Sequence, residues 1–269
     1  MTLDIAISTF GSEGIRRLSQ NTLPELAGVR YVISWQKHEN AELPSSLKRE
    51  DISVYRSEHT GLSVNRNDSI RQCNGDIILI SDDDIVYYAE NIIKILDIFE
   101  KNPTLDIVTF RSEHGDMSRF PTEATDLKLP YPKGYYVSSI EIALRHEVAG
   151  RLKFCEELGI NSKVFHGGED EAFLLKAIKL GMRCRFFPLT ICAHPHSSTG
   201  TKSHLAAGNL KAAGVVIGLI YPYSAVLRVP LKAWRIARSR QSSFFKALFN
   251  VACGALAAPG LKRRNPDSL

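Results

Sequence analysis

The sequence predicts an α/β fold built on a mostly parallel central sheet flanked by helices, and three observations carry that reading. Short β-branched runs alternate with amphipathic stretches from Leu3 to Phe110, the pattern of successive β-α-β units. The chain has 269 residues and is 44% hydrophobic, enough to bury a full core in one medium domain with an appendage. A run of three acids, Asp82, Asp83 and Asp84, comes directly after the apolar segment Ile77-Ile78-Leu79-Ile80. Ligands in open α/β sheets gather beyond the carboxyl ends of strands, so the residues just after each strand matter most.

Taken in order, strands are expected over residues 3–8, 29–35, 52–56, 76–81 and 105–110. Helices fill the gaps at 13–20, 64–72 and 89–101, the last stopped by Asn102 and Pro103. From 115 to 134 the periodicity gives way to Pro, Thr, Tyr and Lys, which reads as a surface excursion or an acceptor-side loop. Regular pattern resumes over 140–158, a helix is expected at 169–180 before Gly181, and 182–187 reads as a further strand. Residues 188–199 carry a polar cluster, His194-Pro195-His196-Ser197-Ser198-Thr199.

The last third changes character. Residues 212–227 contain no charge, a stretch short for a spanning helix and weakened by Gly214, Gly218, Pro222 and Ser224. Beyond it Trp234, Phe244, Phe245, Leu248 and Phe249 are interleaved with Arg and Lys, the composition of a helix lying among lipid headgroups. From Arg228 onward nine cations face one acid, Asp267; that net +8 leaves −3 for the preceding residues out of the chain's +5. Two parts are therefore expected, a catalytic domain over 1–205 and a helical, basic, membrane-associating extension over 206–269. Nucleic acid is the weaker partner for that extension, given the aromatics and the apolar run beside it. Five cysteines without a CxxC pair favour reduced thiols, and the chain opens into a strand without a signal-like stretch. The expected place is the cytoplasm, on the inner face of the cell membrane.

Four groups of residues carry chemistry. Three adjacent carboxylates at a strand end repel one another unless a cation or a donor-rich ligand compensates, which suits Mg or Mn held by one or two carboxylates and substrate phosphates. Gly167-Gly168-Glu169-Asp170-Glu171 precedes an amphipathic run; the glycines permit a tight turn and the helix N-terminus keeps acids ionised, fit to accept a proton. His194 and His196 share one face of an extended segment, with His194 the first choice for contact with an ion or diphosphate. Arg66 comes shortly after Gly61-Leu62-Ser63 and either contacts a diphosphate or fixes an acid of the 82–84 run. Each has a blander reading, in capping, surface salt bridges or buried hydrogen-bonded histidine.

Together these motifs resemble the family 2 inverting glycosyltransferases of the GT-A fold. The resemblance covers roughly residues 1–200 in the family's order: Ser8-Thr9-Phe10, then Gly61-Leu62-Ser63 with Arg66-Asn67, then Gly75-Asp76 leading to Asp82-Asp83-Asp84, then Gly168-Glu169-Asp170. It implies a nucleotide-sugar donor, contacted by Thr9, Arg66, Asp82 and Asp83, and a Mn or Mg ion on Asp82 and Asp84 completed by His194 or His196. It implies Asp170 as the catalytic base, with Glu169 beside it shaping the acceptor site. Many members read Asp-x-Asp-Asp where this chain has Ser81-Asp82-Asp83-Asp84, so the ion pair is open by one residue; Glu39 stands near where many hold the base of the nucleotide. The acceptor expected from the basic extension is a glycan on a lipid carrier. The rival enzyme, a sugar-phosphate nucleotidylyltransferase, carries a Gly-rich loop with basic residues that Thr9 to Arg17 lacks. An inactive glycan-binding scaffold on the same fold is the non-enzymatic rival.

Overall fold

The computed structural model describes residues 1–39, 41–113, 117–160, 162–194, 207–239 and 241–269. The chain divides into two compact units. One comprises Met1–Thr60, Val64–Arg151 and Ala177–His196, the other Gly61–Ser63, Leu152–Lys176 and Ser197–Leu269.

Among the described residues the first unit holds a nine-stranded mixed sheet in the order β3-β2-β1-β4-β8-β6-β9-β5, with β7 on β9. Its strands are β1 (Leu3–Phe10), β2 (Val29–Gln36), β3 (Ile52–Ser57), β4 (Ile77–Asp82), β5 (Val86–Tyr87), β6 (Ile107–Glu113), β7 (Thr125–Asp126), β8 (Ile142–Arg145) and β9 (Cys184–Ala193). The four parallel ladders each run six or more residue pairs, and the four antiparallel ones two or three, so the sheet is parallel in bulk. β1 is paired on both edges and covered on both faces, so every residue from Leu3 to Thr9 is buried. Its one acid, the fully buried Asp4, is held by Arg30 at 2.8 and 2.9 Å and by the Asn74 and Gly75 amides. Helices α1 (Gly11–Gln20) and α3 (Ala89–Lys101) press Ile15, Leu18, Ile92, Ile95 and Phe99 into the core around Ile5, Ile7, Ile33 and Leu79. Helix α2 (Leu62–Arg71) precedes β4, and α4 (His146–Ala149) is a single turn.

Two departures from expectation bear on the site. β9 does not stop at 187 but runs to Ala193, because the register against β6 shifts between Thr109 and Arg111 and lets Pro188 sit in the bulge. Residues 140–158, expected to be regular throughout, give only a 3₁₀ turn, β8 and α4 before an irregular stretch.

In the second unit, α5 (Glu169–Lys179) begins after Gly168, and the C-terminal part is helical: α6 (Ala207–Ile220), α7 (Ala225–Arg238) and α8 (Phe244–Arg264). The charge-free stretch is split, since α6 ends at Ile220 and Pro222 cannot continue it. α6 and α8 meet through glycine: a Cβ on Gly254 would lie 1.8 Å from the Lys211 carbonyl oxygen, and one on Gly214 2.0 Å from that of Val251. One core joins Cys155, Leu158, Phe165, Ala172 and Leu175 to Val215, Leu219 and Leu261; another joins Leu210, Val229, Ala233, Ile236, Ala247 and Val251. Among the described residues α8 alone is long and apolar enough to cross a membrane, with 33% of its apolar window buried against the protein.

Candidate functional site

β4 delivers the acidic run at its carboxyl end, level with Ser8 of β1, and the three carboxylates receive separate partners. Asp82 accepts from the Arg66 guanidinium at 3.2 Å on both oxygens, and Arg66, on α2, is only 3% exposed. Asp83 points into the fold. Its Oδ2 accepts from the Thr9 hydroxyl at 2.6 Å, its Oδ1 from Arg17 Nε at 3.1 Å, and its carbonyl from Asn21. Burial pushes the Asp83 carboxyl up to about 6, against the pull of Thr9 and Arg17. Asp84 meets His194 Nε2 at 3.3 Å. Burial alone would raise the Asp84 carboxyl, but the hydrogen bond and charge of His194, with Arg17, hold it below the usual range. Repulsion within the run is thus relieved by a cationic or hydrogen-bonding group for each acid.

Topology explains the convergence. β5 comes immediately after the acids and pairs antiparallel with the end of β9, Val86 against Ala193, so His194 emerges beside Asp84. α1 supplies Arg17 from the opposite flank, and Gly14 leaves room for the contact: a Cβ there would stand 2.5 Å from Thr9 Oγ1 and 2.6 Å from Asp83 Oδ2. Asn65 on α2 donates to the Thr9 carbonyl at 2.9 Å. The structure therefore brings together Thr9, Arg66, Asp82, Asp83, Asp84 and His194. His196 lies outside the described residues.

Arg17 and Asn65 are site residues that the sequence does not single out; no local pattern marks a pairing across 66 residues such as Arg17 with Asp83. A second such pair lies in the excursion after β6. Arg119 and Glu141 form a buried ion pair, Arg119 also donates to the Tyr136 carbonyl, and Ser112 at the end of β6 donates to Glu141 at 2.6 Å. The Phe120 and Tyr136 rings stand 4.0 and 4.2 Å from the guanidinium. Ser112 thereby anchors the returning chain to β6, whose Glu113 carbonyl accepts from the His194 amide. At the ends of β1 and β2 the half-exposed Phe10 ring lies under Lys37 Nζ, 5.5 Å from its centroid, while Lys37 and Glu39 take left-handed φ of 49° and 35°.

In the second unit Glu169, Asp170 and Glu171 occupy the first turn of α5. Gly168, at φ +83°, makes the turn that a side chain would strain, and its amide neighbourhood is closed by Val216, 2.8 Å from where a Cβ would stand. Glu169 is buried, its carboxyl carbon 3.3 Å from the Cβ position of Gly159, and Ser63 donates to the Leu158 carbonyl at 2.8 Å. Asp170 is half-buried in the first turn of that helix.

Residues 36–159 match the family described as Glycosyl transferase family 2. No curated protein matches the sequence. Among solved structures the fold is similar to S. aureus TarS 1-349, with TM-score 0.58 and 14% identity over 97% of this chain and 92% of that one. The same fragment in complex with UDP-GlcNAc gives TM-score 0.58 at 15% identity and the same coverage, and its complex with UDP gives 0.57 at 15%.

Proposed function

From a chain that carries a glycosyl transferase family 2 segment in a GT-A fold, we propose a metal-assisted, inverting sugar transfer from a nucleoside-diphosphate donor to a hydroxyl of a lipid-linked glycan. The observation that supports it most is the acidic run at the end of β4, with Asp84 against His194 and Asp82 against Arg66. The complexes of TarS with UDP and UDP-GlcNAc make UDP-sugars the first donors to test.

The donor set suits a divalent ion. Asp84 offers carboxylate oxygen and His194 imidazole nitrogen, with Asp82 two residues before Asp84; among the described residues no three His, Cys, Asp or Glu side chains form a closed cage. A hard ion held by one or two carboxylates and completed by substrate phosphates needs no such cage. Mn or Mg bound there offsets the charge gathering on the departing diphosphate. Arg66 fixes Asp82, while Asp83, occupied by Thr9 and Arg17, positions its neighbours.

Asp170 acts as the base. As the acceptor oxygen bonds to the anomeric carbon, its proton passes to the Asp170 carboxylate; the anomeric carbon–oxygen bond to the diphosphate breaks and the nucleoside diphosphate leaves with that electron pair. One in-line displacement inverts the anomeric centre. Glu169, the buried neighbour of Asp170 in sequence, shapes the acceptor side. The acceptor's lipid anchor is inferred from exposed aromatics and cations on the C-terminal helices, which support a reading of the enzyme on the inner face of the membrane.

The test is transfer from a panel of UDP-, GDP- and dTDP-sugars, with Mn or with chelator, by the unaltered protein and Asp84→Ala. Activity with one donor class that needs the ion and drops at least a hundredfold in the variant is expected. Full activity in chelator, or in Asp84→Ala, overturns the assignment.

A further inference from the structure

Helix α7 has three faces where a solvated surface helix has two. Val229, Ala233 and Ile236 are buried against α6 and α8. One residue earlier along each turn, Arg228, Lys232 and Arg235 form an exposed cationic stripe. One earlier again, Leu227, Leu231 and Trp234 are 72%, 45% and 49% exposed. All three sets share the spacing i, i+4, i+7, so each stripe lies about 100° round the helix from the next. The apolar stripe therefore faces away from the core. Tyr223 just before α7 is fully exposed, and on α8 Phe245, Phe249 and Leu256 are 67–82% exposed on the side away from the buried Ala247, Val251 and Ala258.

Charge decides what such a surface fits. No Asp or Glu occurs between Glu171 and Asp267. A second copy of this chain, docked face to face, would set cation against cation without a compensating acid. Nucleic acid would satisfy the cations but leave Leu227 and Leu231 without an apolar partner. A bilayer with anionic headgroups satisfies both stripes: the apolar one enters the acyl boundary, and the long Arg and Lys side chains reach the phosphates. Trp234, with Arg238 stacked 5.2 Å from its ring, has the amphipathic character of residues at that boundary.

We propose that α7, with the outer side of α8, is the docking surface for an anionic phospholipid leaflet, with α7 in the headgroup plane and Leu227, Leu231 and Trp234 inserted. This deepens the membrane placement given above and rests on it. Each cation near such a surface contributes about fivefold to binding, from roughly 1 kcal/mol apiece.

The experiment uses the full chain and vesicles of phosphatidylcholine with or without phosphatidylglycerol. Trp35 is fully buried and donates to the Gly11 carbonyl, which leaves Trp234 as the responsive fluorophore of the two tryptophans. Expected are sedimentation with the anionic vesicles, a blue shift of Trp234, and quenching by brominated acyl chains. Lys232→Glu/Arg235→Glu should weaken binding more than a hundredfold, and Leu227→Glu/Leu231→Glu at least tenfold. Absence of vesicle binding, binding without quenching, or preference for duplex nucleic acid over vesicles overturns the proposal. Should either variant fail to fold by circular dichroism, the quenching of the unaltered protein decides alone. Transfer to a soluble acceptor is measured in parallel: vesicle binding without transfer sinks the transferase reading and leaves this surface standing, and transfer without vesicle binding does the reverse.

Discussion

Replacing Arg119 with methionine probes how the excursion after β6 is held. Arg119 is 4% exposed and Glu141 fully buried, and removing one member of a buried ion pair typically costs roughly 3–5 kcal/mol. Burial raises the Glu141 carboxyl, against the pull of Arg119, Ser112 and the Ser138 amide. A carboxyl raised in the fold contributes its stability fully below the unfolded value of about 4.3 and loses it as pH climbs through the folded value. Without Arg119 the folded value rises further, so the variant falls behind the unaltered protein as pH climbs above the unaltered protein's own raised folded value. Most of that roughly 3–5 kcal/mol is lost as pH climbs through those folded values. A pH-independent remainder of about 1 kcal/mol reflects the lost stacking on Phe120 and Tyr136. Urea unfolding followed by tryptophan fluorescence at pH 4.5 and 7.5 measures both parts. Arg119→Met/Glu141→Gln keeps an acceptor for Ser112 and Ser138 and should recover most of the neutral-pH loss. A deficit equal at both pH values, or a double variant as unstable as the two single losses combined, would contradict the coupling of Arg119 to Glu141.

Gly14→Ala should be favoured by helix propensity by about 1 kcal/mol, yet its methyl strikes Thr9 and Asp83; we expect about tenfold weaker binding of a nucleoside diphosphate with Mn by calorimetry, and unchanged affinity would deny Asp83 a positioning role. Gly254→Ala forces apart α6 and α8, an overpacking of roughly 1–3 kcal/mol that should lower the melting temperature by about 3–10 °C; an unchanged value in calorimetry would contradict the close crossing.

The long elements were legible because their apolar period persists over many residues: β1 to β4, α1 to α3 and α5 fall within a few residues of expectation. β5 and β7, two residues each, carry no period at all; β7 pairs with the start of β9, and β5 pairs because β9 is extended past Pro188 by a bulge. That bulge also brings His194 to Asp84. The acidic run, Arg66 and Glu169-Asp170 announced themselves by position after a strand or before a helix. What stayed hidden were partners chosen by tertiary contact, Arg17 with Asp83 and Arg119 with Glu141, since neither pair leaves a mark in spacing. Hidden too was the division of labour within the run, where Asp83 turns inward while Asp82 and Asp84 face Arg66 and His194.

The most direct measurement is Asp170→Asn, comparing donor affinity by calorimetry with the rate and stereochemistry of transfer by NMR. With Asp170 as the base, donor binding should stay within about twofold, transfer should slow by roughly 10²–10⁴ as for loss of a general base, and the residual product should be inverted at the anomeric carbon. Transfer at the unaltered rate, or a product that retains the donor's configuration, would contradict that role.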